Sequence, residues 1–141
     1  MNIFLSASFR TGKEQRYLKR IKKILKSEGN VIWNAMDHIG DYYGTLQQKR
    51  LNEIIEIEKD QILKSDLVII VICSFTPEPI MQLLYAAEYE IPVIIFLNLE
   101  NEDKSLSLSP WIYGHGQVVK SEQAFLNAIE KINKKIENKY K

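Results

Sequence analysis

The stretch Asp66-Leu-Val-Ile-Ile-Val-Ile-Cys73 is followed by Ser-Phe-Thr-Pro-Glu-Pro79 and then by Ile80-Met-Gln82-Leu-Leu-Tyr-Ala-Ala87. Seven consecutive apolar residues, 67–73, bounded by turn formers read as a strand buried on both faces, the pattern of a parallel sheet. Pro77 and Pro79 break that strand and open a helix, expected from Ile80 to Glu90, with Gln82 in its first turns. In open parallel sheets ligands bind beyond the carboxyl ends of strands, beside helix starts of this kind. The amide of Gln82 therefore falls where a site is expected.

Working outward, Ile3-Phe-Leu-Ser6 reads as a first strand. The loop Ala7 to Gly12 follows it, then a helix from Lys13 to Glu28 with Leu18, Ile21 and Leu25 on one face and Gly29 as its stop. Val31-Ile-Trp33 is a second short strand. Asn34 to Gln48, with Gly40, Tyr42, Tyr43 and Gly44, is polar and reads as a long loop, a length that suits a functional lid. A second long helix is expected from Gln47 to Lys64, a fourth strand at Val93 to Leu97, and a polar loop from Asn98 to Ser109. Gln117-Val-Val119 suits a fifth strand, and Ser121 caps a last helix carrying Phe125, Ile129, Ile132 and Ile136 on one side. Strands alternating with helices predict an α/β fold: one doubly wound parallel sheet of about five strands, helices on both faces, in a single domain spanning 1–141.

Bulk properties narrow the function. The 141 residues are 45% hydrophobic and 26% charged with a net charge of +1, which makes no case for a polyanion, so no nucleic-acid partner is expected. The five lysines between Lys131 and Lys141 read as a solvated helix end. No apolar run is long enough to span a bilayer and no signal peptide is recognisable, so a cytoplasmic protein without a membrane partner is the default. The lone Cys73 reads as an inert core thiol. His38 and His115 lack partners at ligand spacing, so no metal is expected, and neither the glycine fingerprint of dinucleotide-binding folds nor the phosphate-binding loop of NTPases is present, so no other cofactor is expected. Trp111 and Tyr113 beside Pro110 read as packing residues.

Two places carry candidate chemistry. On the second long helix the apolar series Leu51, Ile55 and Ile62, with Ile54 alongside, is completed at position 58 by a glutamate. A carboxylate on the face that meets the sheet must find a partner or take up a proton, which suits a general acid; a solvated or salt-bridged Glu58 fits the pattern equally. Glu53, Glu56 and Asp60 face away as a charged surface. The Ala7 to Gly12 loop combines Ser8, Arg10, Thr11 and Gly12 at a helix start, suited to a phosphate or carboxylate, and a purely structural turn is the other reading.

These residues resemble a known family. Ala7-Ser8-Phe9-Arg10-Thr11-Gly12 is similar to the Gly-Ser-Ile-Arg-Gly-Gly loop of 2'-deoxynucleoside 5'-phosphate N-hydrolases, within the nucleoside 2-deoxyribosyltransferase-like group. The likeness continues through the helix to Gly29, from Glu58 through Asp66, the strand, Thr76, Gln82 and Ile91-Pro92-Val93, and again over Leu108-Ser109-Pro110-Trp111-Ile112-Tyr113-Gly114. It implies a small doubly wound fold that cleaves or transfers the N-glycosidic bond of a nucleoside or nucleoside monophosphate, without a cofactor. It places substrate contacts at Ser6, Ser8, Phe9, Arg10, Gly12, Thr76 and Ser109, and an orienting acid at Glu58. It implies a homodimer with a shared site. The family's nucleophilic glutamate falls on Gln82, an amide that cannot attack as a carboxylate does; Glu78, one helical turn earlier, is the nearby replacement. Ile3-Phe-Leu-Ser-Ala-Ser together with Lys64-Ser-Asp66-Leu-Val-Ile-Ile-Val-Ile also resembles a TIR domain, which implies NAD cleavage or a self-associating scaffold, again with its glutamate at Gln82. A non-catalytic nucleotide sensor is the remaining alternative.

Overall fold

In the computed structural model, residues 1–40, 47–72, 77–97 and 110–140 are described. Five parallel strands, β1 (Asn2–Ala7), β2 (Val31–Trp33), β3 (Leu67–Ile72), β4 (Val93–Leu97) and β5 (Gln117–Val119), form one sheet in the order β2-β1-β3-β4-β5. Every residue of the central strand β3 is at most 4% exposed, as its unbroken apolar run requires. Successive side chains go to opposite faces. Leu67, Ile69 and Val71 meet Leu18, Ile21 and Leu25 of α1 (Gly12–Ser27) and Phe125, Ala128 and Ile129 of α6 (Glu122–Lys139). Val68, Ile70 and Ile72 meet Ile62 of α3 (Gln48–Leu63) and Leu83 and Ala86 of α4 (Pro77–Glu88). The fold class expected from the sequence is therefore the one observed, with helices on both faces.

Local signals explain the element ends. Thr11 and Glu14 form a reciprocal capping box at the start of α1, and Gly29 follows the helix at φ +82°, a conformation that favours glycine. Ser121 accepts the Ala124 N–H at 3.1 Å and caps α6. α4 starts three residues before the expected Ile80. Prolines at its first and third positions are tolerated because the N–H groups of a first helical turn have no intrahelical partner. This shift puts Glu78 on the helix, one turn before Gln82.

Other expectations need correction. The polar segment after β2 does not begin as a loop: Asn34 caps a short helix, α2 (Ala35–His38), by accepting the Asp37 N–H at 3.0 Å, and a Lys22–Asp37 ion pair ties it to α1. On α3 the buried positions are Ile54, Glu58 and Ile62, whereas Ile55 is 48% exposed. The stripe thus runs through 54, 58 and 62: Glu58 and Ile62 are buried where the series put them, and Ile54 takes the inward place expected of Ile55. Trp111 and Tyr113 are exposed on α5 (Pro110–Tyr113), where only Ile112 is buried; the Trp111 ring stacks on His115 at 5.5 Å.

Leu83, fully buried where α4 meets β3, should carry a large share of stability. Leu83→Ala is expected to cost about 3 kcal/mol in urea denaturation, against less than about 0.5 kcal/mol for Met81→Ala on the exposed side of the same helix. Equal costs would contradict this packing.

Candidate functional site

The chain leaves β1 toward β2 on one side and, through β3, toward β4 and β5 on the other. Strand order reverses between β1 and β3, and a crevice at such a switch point is where open α/β sheets bind ligands. A small cleft, with about 20 Å³ of space for water, lies there. Its walls come from the end of β1 and the turn after it (Ser6, Ser8, Phe9), from Asn34 after β2, from Glu58 of α3, and from Glu78 and Gln82 of α4.

Three of these side chains form a hydrogen-bonded chain across the floor. The Ser6 hydroxyl donates to Gln82 Oε1, and Gln82 Nε2 donates to Glu58 Oε2 at 3.0 Å. Ser6 and Glu58 are each only 7% exposed. Burial removes a carboxylate from water at a cost that hydrogen bonds must offset, and the amide supplies one. A glutamate at position 82 would bring two carboxyl groups to about 3 Å, a distance at which they hold one proton between them rather than both ionise. Gln82 removes that conflict, because it accepts from Ser6 and donates to Glu58 at the same time.

The structure brings together Ser6, Ser8, Phe9, Glu58, Glu78 and Gln82 from the expected set. Arg10 and Gly12 are exposed and do not line the cleft; Gly12 is the first residue of α1. Thr76 and Ser109, like Cys73, Tyr42 and Tyr43, lie outside the described residues. The backbone donors at the start of α1 are partly engaged already: Glu14 Oε1 accepts the Thr11 N–H at 3.0 Å and Thr11 Oγ1 accepts the Glu14 N–H at 3.1 Å. Partial burial, which by itself raises the Glu14 pKa, is outweighed by the surrounding Ser8, Thr11 and Arg10 groups, so the carboxyl lies below its ordinary 4.5. The loop therefore carries an anion from its own helix. Its pattern, Thr followed three residues later by Glu, is a recognisable capping-box signature. Asn34, 1% exposed at the cleft wall, was not expected at the site; a cap-forming residue just after a strand is the signal that marks it.

No protein-family model matches the chain, and no curated protein does. Solved structures do. A conserved protein from Enterococcus faecalis V583 superimposes with a TM-score of 0.71 at 15% identity, over 93% of this chain and 98% of that one. A 2-deoxyribosyltransferase from Bacillus psychrosaccharolyticus matches with a TM-score of 0.65 at 12% identity, over 86% and 87%. The CMP N-glycosidase BcmB of Clostridium botulinum matches with a TM-score of 0.59 at 15% identity, over 92% and 99%. The chain thus has the nucleoside 2-deoxyribosyltransferase-like fold that its sequence resembled. At these identities the likeness concerns architecture, which also underlies the single-stranded-DNA-binding DNA processing protein A of Helicobacter pylori (TM-score 0.61, 16% identity, over 93% and 80%).

The Ser6–Gln82–Glu58 chain has a stability consequence. Gln82→Leu leaves a buried carboxylate oxygen and a hydroxyl without their amide partner and should cost about 1–3 kcal/mol in urea denaturation. Combining it with Glu58→Met should recover much of the loss, since removing both partners costs less than stranding one. A double variant at least as unstable as the sum of the singles would show that the contact contributes nothing.

Proposed function

We propose that the cleft between β1 and α4 binds the sugar of a nucleoside or nucleoside 5'-monophosphate, and that the protein is an N-glycosidase relative whose turnover is slowed by the amide at position 82. The observation that carries this reading is the Ser6–Gln82–Glu58 chain at the switch point, where a buried carboxylate and an amide face one crevice. The folds shared with a deoxyribosyltransferase and a CMP N-glycosidase support the substrate class. Glu58 orients the sugar and exchanges a proton with the leaving base, and Glu78, on the same cleft wall, is the other carboxylate within the site. Loss of a covalent nucleophile costs on the order of 10⁶ in rate, roughly 8 kcal/mol of barrier. Binding survives that loss, so the same cleft also serves a sensor that recognises nucleotide without consuming it. Thr76 and Ser109 complete the substrate contacts in this reading, while Arg10 and Gly12, which do not line the cleft, would be reached only by a 5'-phosphate extending beyond it. The assembly is a homodimer, for which the exposed Met81 of α4 and Tyr89 just after it offer apolar surface; a monomeric mass in light scattering would remove that part.

The test is a panel of nucleosides and their 5'-monophosphates. A true ligand at 100-fold excess over its Kd should stabilise the fold by about 2.7 kcal/mol. Free base should be released slowly by the wild type and faster by Gln82→Glu. A flat melting temperature across the panel, with no base released by either protein, excludes the reading.

A further inference from the structure

The amide that weakens nucleophilic attack gains a capacity that a carboxylate lacks. Gln82 has one carbonyl oxygen and two amide hydrogens. The oxygen accepts from Ser6 and one hydrogen goes to Glu58 Oε2. Among the described residues the second hydrogen has no partner, and Gln82 lines the cleft. An ionised glutamate at this position accepts hydrogen bonds only. Because both ends of the amide are tied, to β1 through Ser6 and to α3 through Glu58, the group cannot flip without breaking two bonds. The direction of its spare donor is fixed.

Resting on the reading of the cleft as a nucleoside site, we propose that Gln82 is a specificity residue that reads the ribose 2'-hydroxyl, so that the site selects ribonucleosides over 2'-deoxyribonucleosides. In the family that the sequence resembles, the glutamate that aligns with this position attacks the anomeric carbon. A side chain aimed at that carbon lies beside C2', the adjacent ring atom. The amide N–H donates to the 2'-oxygen, and the hydroxyl hydrogen remains for an acceptor in the cleft. A 2'-deoxy sugar offers nothing to this donor and leaves it desolvated without a partner. Sites that hydrogen-bond a substrate hydroxyl discriminate strongly against analogues lacking it, for this reason.

Calorimetric titration of the full chain with paired ribo-, 2'-deoxyribo- and arabinonucleosides, and with their 5'-monophosphates, tests the proposal. The ribo member of each pair should bind about tenfold more tightly or better, and the arabino epimer, whose hydroxyl lies on the opposite face of the ring, should bind as weakly as the deoxy compound. In Gln82→Met the ribo-to-deoxy ratio should fall to within about twofold. Equal or tighter binding of deoxynucleosides by the wild type overturns the proposal and leaves the nucleoside site standing. So does a ratio that persists in Gln82→Met. Absence of binding by every compound removes the site reading and this inference with it. The wild-type comparison with the arabino epimers decides the matter even if the Met variant does not fold.

Discussion

The fold depends on one strand that no water reaches. β3 is covered on both faces and hydrogen-bonded on both edges, to β1 and to β4, and each of its six side chains is almost wholly buried. Such a strand is stable only with helices packed above and below it, and parallel neighbours require crossovers to supply them. Placing β1 and β2 on one side and β4 and β5 on the other follows from that demand for cover. It also opens the crevice between β1 and β3, because the helices that follow these two strands pack on opposite faces of the sheet. The candidate site is thus a by-product of how the central strand is buried.

Within that crevice the polar residues solve a local problem of solvation. Glu58 sits on α3 at a position its neighbours make apolar, between Ile54 and Ile62, and its burial is tolerable only if the cleft supplies donors. Gln82 supplies one and is itself anchored by Ser6. The three side chains come from β1, α3 and α4, so the chain of bonds also ties together the elements that frame the cleft. A buried polar network fixes geometry through the bonds its members make, here those from Ser6 to Gln82 and from Gln82 to Glu58 Oε2.

Much of this was legible in the sequence because it follows from strong, local patterns. The run after Asp66 could only be a doubly covered strand, and the strand–helix alternation then left few topologies. Glu58 stood out because it interrupts an apolar face. Only one member of that face was misplaced, Ile55 for Ile54, since the two are equally apolar and only packing against the sheet decides which turns inward. The start of α4 was misplaced because prolines signal a break and a helix start with the same residue type. The exposure of Trp111 and Tyr113 was not legible, because the short α5 buries a single side chain and has no periodicity to read. The likeness to a TIR domain rests on β1 and β3, strands that any sheet of this winding must contain, and so says less than the loop and helix positions do.

The loop after β1 shows how a pattern can be read correctly and still be assigned too much. Ser8, Arg10, Thr11 and Gly12 suit an anion, and an anion is there, but it is the carboxylate of Glu14 closing the capping box. That carboxylate strengthens the start of α1 through the two reciprocal bonds and through its charge near the positive end of the helix. A ligand phosphate arriving at this turn would share it with a resident negative charge, while Ala7, Ser8 and Phe9 of the loop line the cleft. The floor of the crevice, where Ser6, Gln82 and Glu58 are already aligned, is therefore the part that the fold has preorganised.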